Sequence, residues 1–259
     1  MAAHPLNDST AVLTGSATSI AFEIACQLAE AGVPRIVLNG RKPDEGAAAC
    51  VKLRERAPGV DVRFVSADVA TPEGPAHLVD EAVKAFGGID ILVTSIGGVL
   101  SPRPFHEIPV DMMTAITQAH LLSAIYTCHA ALPHMQARGG GTIINLSSDA
   151  AKSPTPGETL IGACKAGVAM FSRTLSLEVS RHGIRVHCLT PSIVRDTKAY
   201  AKVMSDEFSA KIFAKAESRA KLGVVEPADL AALAVFLASP GAARMTGQTI
   251  SVTGGIAAN

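Results

Sequence analysis

The chain has 259 residues, of which 48% are hydrophobic and 18% are charged, and 23 basic residues balance 23 acidic ones. This length and apolar content suit one well-buried α/β domain and exclude a disordered chain. The zero formal net charge gives no electrostatic reason to expect nucleic acid or a membrane surface as a partner.

Short apolar runs that end in turn residues alternate along the chain with longer stretches of helical period. This alternation predicts an α/β fold with a parallel sheet covered by helices on both faces. No linker or repeat divides the chain, so we predict a single domain over residues 1–259. The predicted strands are 11–14, 35–39, 62–66, 89–95, 142–147, 184–190 and 249–253.

Two features bear on the environment of the protein. Five scattered cysteines without a Cys-x-x-Cys pair, and an N-terminus without signal-peptide character, predict reduced thiols, no metal site and a cytoplasmic location. The stretch 112–137 carries no Asp, Glu, Lys or Arg and is long enough to span a bilayer. Because it contains Gln118, Pro133 and three histidines, we interpret it as a core or subunit-interface helix.

The first strand is followed by Thr-Gly-Ser-Ala-Thr-Ser-Ile-Ala, residues 14–21, which opens a helix. Small residues let the backbone approach a pyrophosphate, and the helix N-terminus offers free N–H groups. The second strand ends without a carboxylate for a ribose 2′-hydroxyl, but Arg41 follows it. Arg41 is either a ligand of a 2′-phosphate or a solvated loop cation. After the third strand, Asp68 either accepts an adenine amino hydrogen bond or caps a turn.

The segment 195–222 is charged, has helical character and follows a strand. Insertions after the carboxyl ends of strands in open α/β sheets tend to cover the ligand crevice. The segment is therefore either a lid over that crevice or a solvated pair of helices.

Eight short motifs, in chain order, carry a resemblance to a known family. They are Thr14-Gly15, Asp68-Val69, Thr94-Ser95-Ile96-Gly97, 144–148, Lys165-Ala166-Gly167, 183–186, Pro191 and 247–255. From about residue 8 to residue 255 the chain resembles the short-chain dehydrogenase/reductases. The resemblance implies a Rossmann-type, doubly wound sheet of seven strands, a nicotinamide cofactor, a small-molecule substrate and a homotetramer or dimer.

The chain departs from that family's usual motifs in the nucleotide loop. Ser19 and Ala21 stand where glycines are usual, and this Ser-Ile-Ala version is similar to the bacterial enoyl-acyl carrier protein reductases. Thr94 stands where the family commonly has Asn.

The resemblance also implies a catalytic set of Ser, Tyr, Lys and Asn. The Ser is Ser148 and the Lys is Lys165, but Ile161 occupies the Tyr position and His120 the Asn position. An isoleucine cannot transfer a proton, so the usual route is closed.

Three interpretations stay open. A different residue donates the proton, either Glu158, seven residues before Lys165, or His120, although both types also occur as ordinary helix-start and packing residues. Alternatively, the substrate is a conjugated C=C compound for which oxyanion stabilisation suffices and water delivers the proton. Thirdly, the chain is a non-redox enzyme or a catalytically silent cofactor-binding partner protein. Tyr126 and Tyr200 are weaker candidates for a replacement hydroxyl.

We therefore predict an NADP(H)-dependent oxidoreductase, with NADP(H) in preference to NAD(H), that acts on a small carbonyl, alcohol or conjugated C=C compound. The predicted catalytic residues are Ser148, Lys165, His120 and Glu158. The predicted cofactor-binding residues are Gly15, Ser19, Ile20, Arg41, Asp68, Val69, Gly97 and Lys165.

Overall fold

The fold is built on one sheet of seven parallel strands. The computed structural model describes residues 4–96 and 101–257. The strands lie in the order β3-β2-β1-β4-β5-β6-β7, and every neighbouring pair is parallel. All seven predicted strands are confirmed, to within two residues at each end. They are β1 Thr10–Leu13, β2 Arg35–Gly40, β3 Asp61–Ser66, β4 Ile91–Thr94, β5 Gly141–Leu146, β6 Ile184–Pro191 and β7 Thr249–Val252.

Helices cover both faces of the sheet, as expected for strands that are apolar along their whole length. On β1, Ala11 and Leu13 point into a core formed with α1 and α9, whereas Val12 points into the opposite core. The opposite core includes residues of α3, α5 and α6. The helices are α1 Ser19–Glu30, α2 Pro43–Arg56, α3 Glu73–Phe86, α4 Val110–Thr117, α5 Ser123–Arg138, α6 Thr159–Val179, α7 Lys198–Met204, α8 Glu207–Glu217 and α9 Pro227–Ala238.

The order of the strands places the ligand crevice. β1 lies between β2 and β4, so the chain winds outward from β1 in both directions. Ligands of open α/β sheets bind outside the carboxyl ends of the strands at such a switch point. The loops after β1, β4 and β5 meet there.

The stretch 112–137 is not one regular helix, which corrects the sequence-based interpretation. A π-helical segment, Gln118–Leu122, separates α4 from α5. Thr117 and Ser123 flank it, and each hydroxyl donates to a backbone carbonyl four residues earlier, at 2.9 and 2.7 Å. Such back-bonding bends helices, and single π turns are frequent at functional sites.

The segment 195–222 folds into α7 and α8 after β6. Both helices are capped, because Thr197 accepts a hydrogen bond from the Tyr200 N–H and Asp206 accepts one from the Ser209 N–H. The Ser209 hydroxyl also donates to the carbonyl of Pro102 at 3.0 Å. The segment is therefore attached to the loop that follows residue 100.

None of the helices within the described part of the chain has both the length and the apolar character needed to cross a bilayer. All five cysteines are buried free thiols.

Candidate active site

A cleft of about 1490 Å³ opens at the carboxyl ends of the strands. The sequence predicted eleven site residues. Gly97 lies outside the described residues, and all the others line this cleft. They are Gly15, Ser19, Ile20, Arg41, Asp68, Val69, His120, Ser148, Glu158 and Lys165.

The loop between β1 and α1 runs unusually close to the loop after β4. Gly15 has φ +56°, and a Cβ at that position would lie 2.3 Å from the carbonyl oxygen of Ser95. Only glycine fits so close an approach in this conformation. Ser19, which stands at a usual glycine position, also has a positive φ of 61°. The substitution has kept the left-handed backbone that a glycine would adopt there.

Asn39, at the end of β2, is a structural support for the nucleotide loop that sequence reasoning missed. Its side-chain oxygen accepts from the N–H of Gly15 at 3.3 Å, and its NH₂ donates to the carbonyls of Val65 and Ala67 at 3.1 Å each. These bonds tie β1, β2 and β3 together at the cleft. The sequence signal that could have predicted this role is the position of Asn39, a polar residue near the end of an otherwise apolar buried strand.

Arg41 and Asp68 lie beside each other at the β2–β3 end of the cleft. The guanidinium is 3.8 Å from the carboxylate, and Arg41 is 78% exposed, so its fork is available to a ligand. One oxygen of Asp68 accepts from the Ala70 N–H at 3.0 Å, which means that Asp68 does cap a turn. Its second oxygen faces Arg41.

Ser148 and Lys165 come together from β5 and α6. The Ser148 hydroxyl accepts from the Ala150 N–H at 3.2 Å, which fixes it at the start of a short 3₁₀ turn. Lys165 is 7% exposed, and its ammonium donates to the carbonyl of Leu146 at 3.3 Å. Burial lowers the pKa of Lys165 from its usual value.

Glu158 directly precedes α6 and is half-buried in the cleft wall. Burial raises the pKa of this carboxyl from 4.5 to about 7, a hydrogen bond with Thr155 lowers it, Asp149 raises it and Lys165 lowers it. Asp149, a cleft residue that the sequence did not single out, is buried and has its own pKa raised by burial. Burial thus moves the pKa of Glu158 toward neutrality, the range in which general acids and bases operate.

His120 lies in the π-helical segment and is 6% exposed. Both ring nitrogens are buried without a hydrogen-bond partner. Burial, followed by the positive charges of Lys165 and Lys202, lowers the pKa of His120 to about 3. The ring is neutral at pH 7, so it can donate or accept a hydrogen bond but holds no proton to give as an imidazolium.

The position that the family resemblance assigns to a tyrosine holds an apolar residue, Ile161. Ile161 is 7% exposed and lines the cleft one turn before Lys165. The hydroxyl of Tyr200 donates to Glu217 at 3.1 Å, and neither Tyr126 nor Tyr200 is among the cleft's lining within the described residues. Two carboxyl groups that line the cleft, Glu158 and Asp149, have pKa values raised by burial.

Thr94 has a structural role in place of the usual asparagine. Its hydroxyl donates to the side-chain oxygen of Asn145 at 2.6 Å, and Asn145 in turn donates to the hydroxyl of Ser172 at 2.8 Å. This buried chain links β4, β5 and α6 beneath the cleft, so it fixes the strand end that carries Ser148.

The residues fit a dinucleotide. Gly15 lines the cleft and has no room for a side chain beside the Ser95 carbonyl, both ring nitrogens of the cleft residue His120 are buried without a partner, and buried Lys165 makes a single hydrogen bond. Within residues 4–96 and 101–257, no group of three or more His, Cys, Asp or Glu side chains is placed to hold a metal ion.

A doubly wound parallel sheet with a glycine-containing cleft at its switch point defines a Rossmann-type nucleotide-binding protein. A family model described as Enoyl-(Acyl carrier protein) reductase matches residues 15–257. The chain belongs to the short-chain dehydrogenase/reductase family of oxidoreductases.

Individual relatives match over almost the whole chain. The human dehydrogenase/reductase SDR family member 4 is 32% identical over 256 residues, covering 97% of this chain and 88% of that protein. The 3-oxoacyl-[acyl-carrier-protein] reductase of Chlamydia trachomatis is 31% identical over 252 residues, covering 97% and 98%. The structure of L-sorbose reductase from Gluconobacter frateurii, complexed with NADPH and L-sorbose, matches with a TM-score of 0.88 and 32% identity, covering 99% of this chain and 98% of that one.

Proposed function

We propose that the protein is an NADP(H)-dependent oxidoreductase of small carbonyl, alcohol or conjugated C=C compounds, in which Glu158 replaces the usual tyrosine as proton donor and acceptor. The observation that carries this proposal is the place and acidity of Glu158. It lines the same cleft as Ser148 and Lys165, and its pKa is raised to about 7.

The cofactor would be held along one side of the cleft. Gly15, Ser19 and Ile20 would bind the pyrophosphate, and Arg41 the 2′-phosphate, with NAD(H) the less favoured alternative. Asp68 and Val69 would lie against the adenine, Lys165 would bind the nicotinamide ribose, and Gly97 stays a prediction. The relative solved with NADPH supports the choice of cofactor. When bound, a nicotinamide cofactor donates or accepts a hydride.

Side chains of the protein would then bind the substrate oxygen and transfer the proton. The Ser148 hydroxyl would donate a hydrogen bond to the substrate oxygen and orient it. In the reducing direction, the neutral carboxyl of Glu158 would transfer its proton to that oxygen. In the oxidising direction, the carboxylate would take a proton from the alcohol.

His120 would stabilise developing negative charge and would not deliver a proton. A neutral imidazole can donate one hydrogen bond, and this one has no partner within the protein. For a conjugated C=C substrate, His120 and Ser148 together would bind the enolate oxygen. The reductase relatives and the enoyl reductase description of the family model support both substrate classes.

The experiment that tests the proposal is a fluorescence titration with NADPH and NADH, followed by turnover screens of carbonyl and enoyl compounds with the natural chain and Ile161→Tyr. Selective NADPH binding, with turnover in the natural chain, is expected. Absence of binding at millimolar cofactor would favour a non-redox role. Carbonyl reduction that appears only in Ile161→Tyr would show that Glu158 is not the donor.

We also expect a homo-oligomer, a dimer or tetramer. Two large apolar side chains on α6, Met170 and Leu177, are 57% and 77% exposed, as on a helix that packs against a second copy. Light scattering coupled to size-exclusion chromatography would measure the state directly, and a monomer would contradict this expectation.

A further inference from the structure

The inner surface of the lid, defined as residues 195–222, is cationic. Four of its basic residues line the cleft. The acidic residues of the lid are Asp196, Asp206, Glu207 and Glu217, and none of them is among the cleft's lining in the described part of the chain. The four cleft-facing cations are Lys198, Lys202, Lys215 and Arg219.

The carboxylates of α8 are engaged away from the cleft. Glu207 pairs with Lys211 at 2.7 Å, one turn further along the helix. Glu217 accepts hydrogen bonds from Tyr200 at 3.1 Å and from Arg195 at 3.4 Å. Their negative charge is therefore matched by groups that do not line the cleft.

The cleft-facing cations differ in what they contact. Lys198 forms an ion pair with Glu45 at 2.8 Å, beside the nucleotide loop, where its backbone N–H also reaches Ser19. Lys215 and Arg219 form no ion pair with any carboxylate among the described residues. Both line the cleft, Lys215 from the last turn of α8 and Arg219 from the turn that follows the helix.

Arg219 lies three residues before the point where the lid contacts the segment that follows β7. The lid closes onto the segment after β7, because the Leu222 N–H donates to the carbonyl of Gly254 at 3.0 Å. Ile256 and Ala257, which follow, line the cleft together with Arg219. β7 is the last strand of the sheet on the side away from β2 and β3, which carry Arg41 and Asp68.

Lys202 on α7 lies near His120, one of the predicted catalytic residues. It lines the cleft, and its positive charge contributes to the lowered pKa of His120. The cleft-facing cations of the lid therefore include Arg219 near the end of the lid and Lys202 near His120.

We infer that the substrate carries an anionic group, a carboxylate or a phosphate, which Lys215 and Arg219 bind while Lys202 faces its reactive end. This inference rests on the proposed function, since it names the substrate class for the same cleft. Arginine presents a planar fork that matches both anions, and Lys215 adds a point charge. A neutral steroid or sugar would leave Lys215 and Arg219 without a counter-charge.

Calorimetric titration with three probes tests the inference without requiring turnover. The probes are 4-oxopentanoate, its neutral methyl ester and dihydroxyacetone phosphate, each added to the chain with and without NADPH. At least one anion is expected to bind tenfold or more tightly than the ester, and the preferred anion then tells carboxylate from phosphate. Equal affinity for the ester and both anions would overturn the inference.

Variants show which cations are responsible. Arg219→Gln and Lys215→Gln should each weaken binding of the preferred anion about tenfold and leave the ester unchanged. Lys211→Gln removes a cation from the same helix that does not line the cleft and should change nothing. Equal losses in Arg219→Gln and Lys211→Gln would overturn the inference, as would a loss of NADPH affinity in Arg219→Gln without a change for the probes.

The same titrations separate this inference from the proposed function. Absence of NADPH binding together with retained anion selectivity would overturn the proposed function alone. NADPH binding and turnover of neutral substrates, without anion selectivity, would overturn this inference alone.

Discussion

Replacement of Glu158 by Gln should alter the pH dependence of both stability and turnover. Burial raises the pKa of Glu158 from 4.5 to about 7 in the folded protein. Because the folded state holds the proton more tightly, this group favours folding below pH 4.5, and the benefit is lost as the pH rises to about 7. At about 1.36 kcal/mol per pH unit, the loss amounts to about 3 kcal/mol above pH 7.

A glutamine has no charge to desolvate, so Glu158→Gln should escape this loss. Urea unfolding at pH 5 and pH 8 measures it: the variant should gain stability relative to the natural chain on going to pH 8. Glu178→Gln is the matched control, since Glu178 is exposed at the far end of α6. Its unfolding curve should follow that of the natural chain at both pH values.

Turnover supplies the second readout of the same variant. In the reducing direction the natural chain should lose activity above pH 7, because only the protonated carboxyl can donate. Glu158→Gln should lower the turnover rate by a factor of about 10² or more and remove the inflection near pH 7 from the pH–rate profile. A profile that keeps its inflection near pH 7 in the variant, or stability curves that stay parallel from pH 5 to pH 8, would refute the assigned role.

Three further changes test other parts of the site. Arg41→Ala should weaken NADPH binding about tenfold, equivalent to about 1.4 kcal/mol, and spare NADH; equal losses in titrations of both cofactors would exclude a 2′-phosphate contact. Gly15→Ala should abolish cofactor binding. Gly32 also has a positive φ but open space around it, so Gly32→Ala should cost only about 1–2 kcal/mol of stability and leave cofactor binding unchanged. Similar cofactor affinities in the two variants would contradict the close approach at the nucleotide loop. His120→Asn should leave the midpoint of the pH–rate profile near 7, because the pKa of His120 is about 3, and a displaced midpoint would count against a neutral role.

Much of the fold followed from local sequence patterns. Seven apolar runs predicted the seven strands, because a strand buried on both faces needs nearly continuous apolar side chains. The positions of Gly15, Ser148 and Lys165 could also be predicted, since each belongs to a short motif next to a strand end. Local patterns failed at the π-helical segment, because its hydrogen-bond register depends on side-chain hydroxyls bonding back to the helix.

The amino-acid sequence by itself determined the parallel sheet, the nucleotide loop and the presence of Ile161 four residues before Lys165. Only the tertiary structure decided the environment of the titratable groups in the cleft. The raised pKa of Glu158 arises mainly from burial, and the lowered pKa of His120 arises from burial and from Lys165 and Lys202, which are distant from it in sequence. Likewise, only the fold brings Lys215 of α8 and Arg219 of the following turn to the cleft, because the packing of the lid decides which of its side chains face the site.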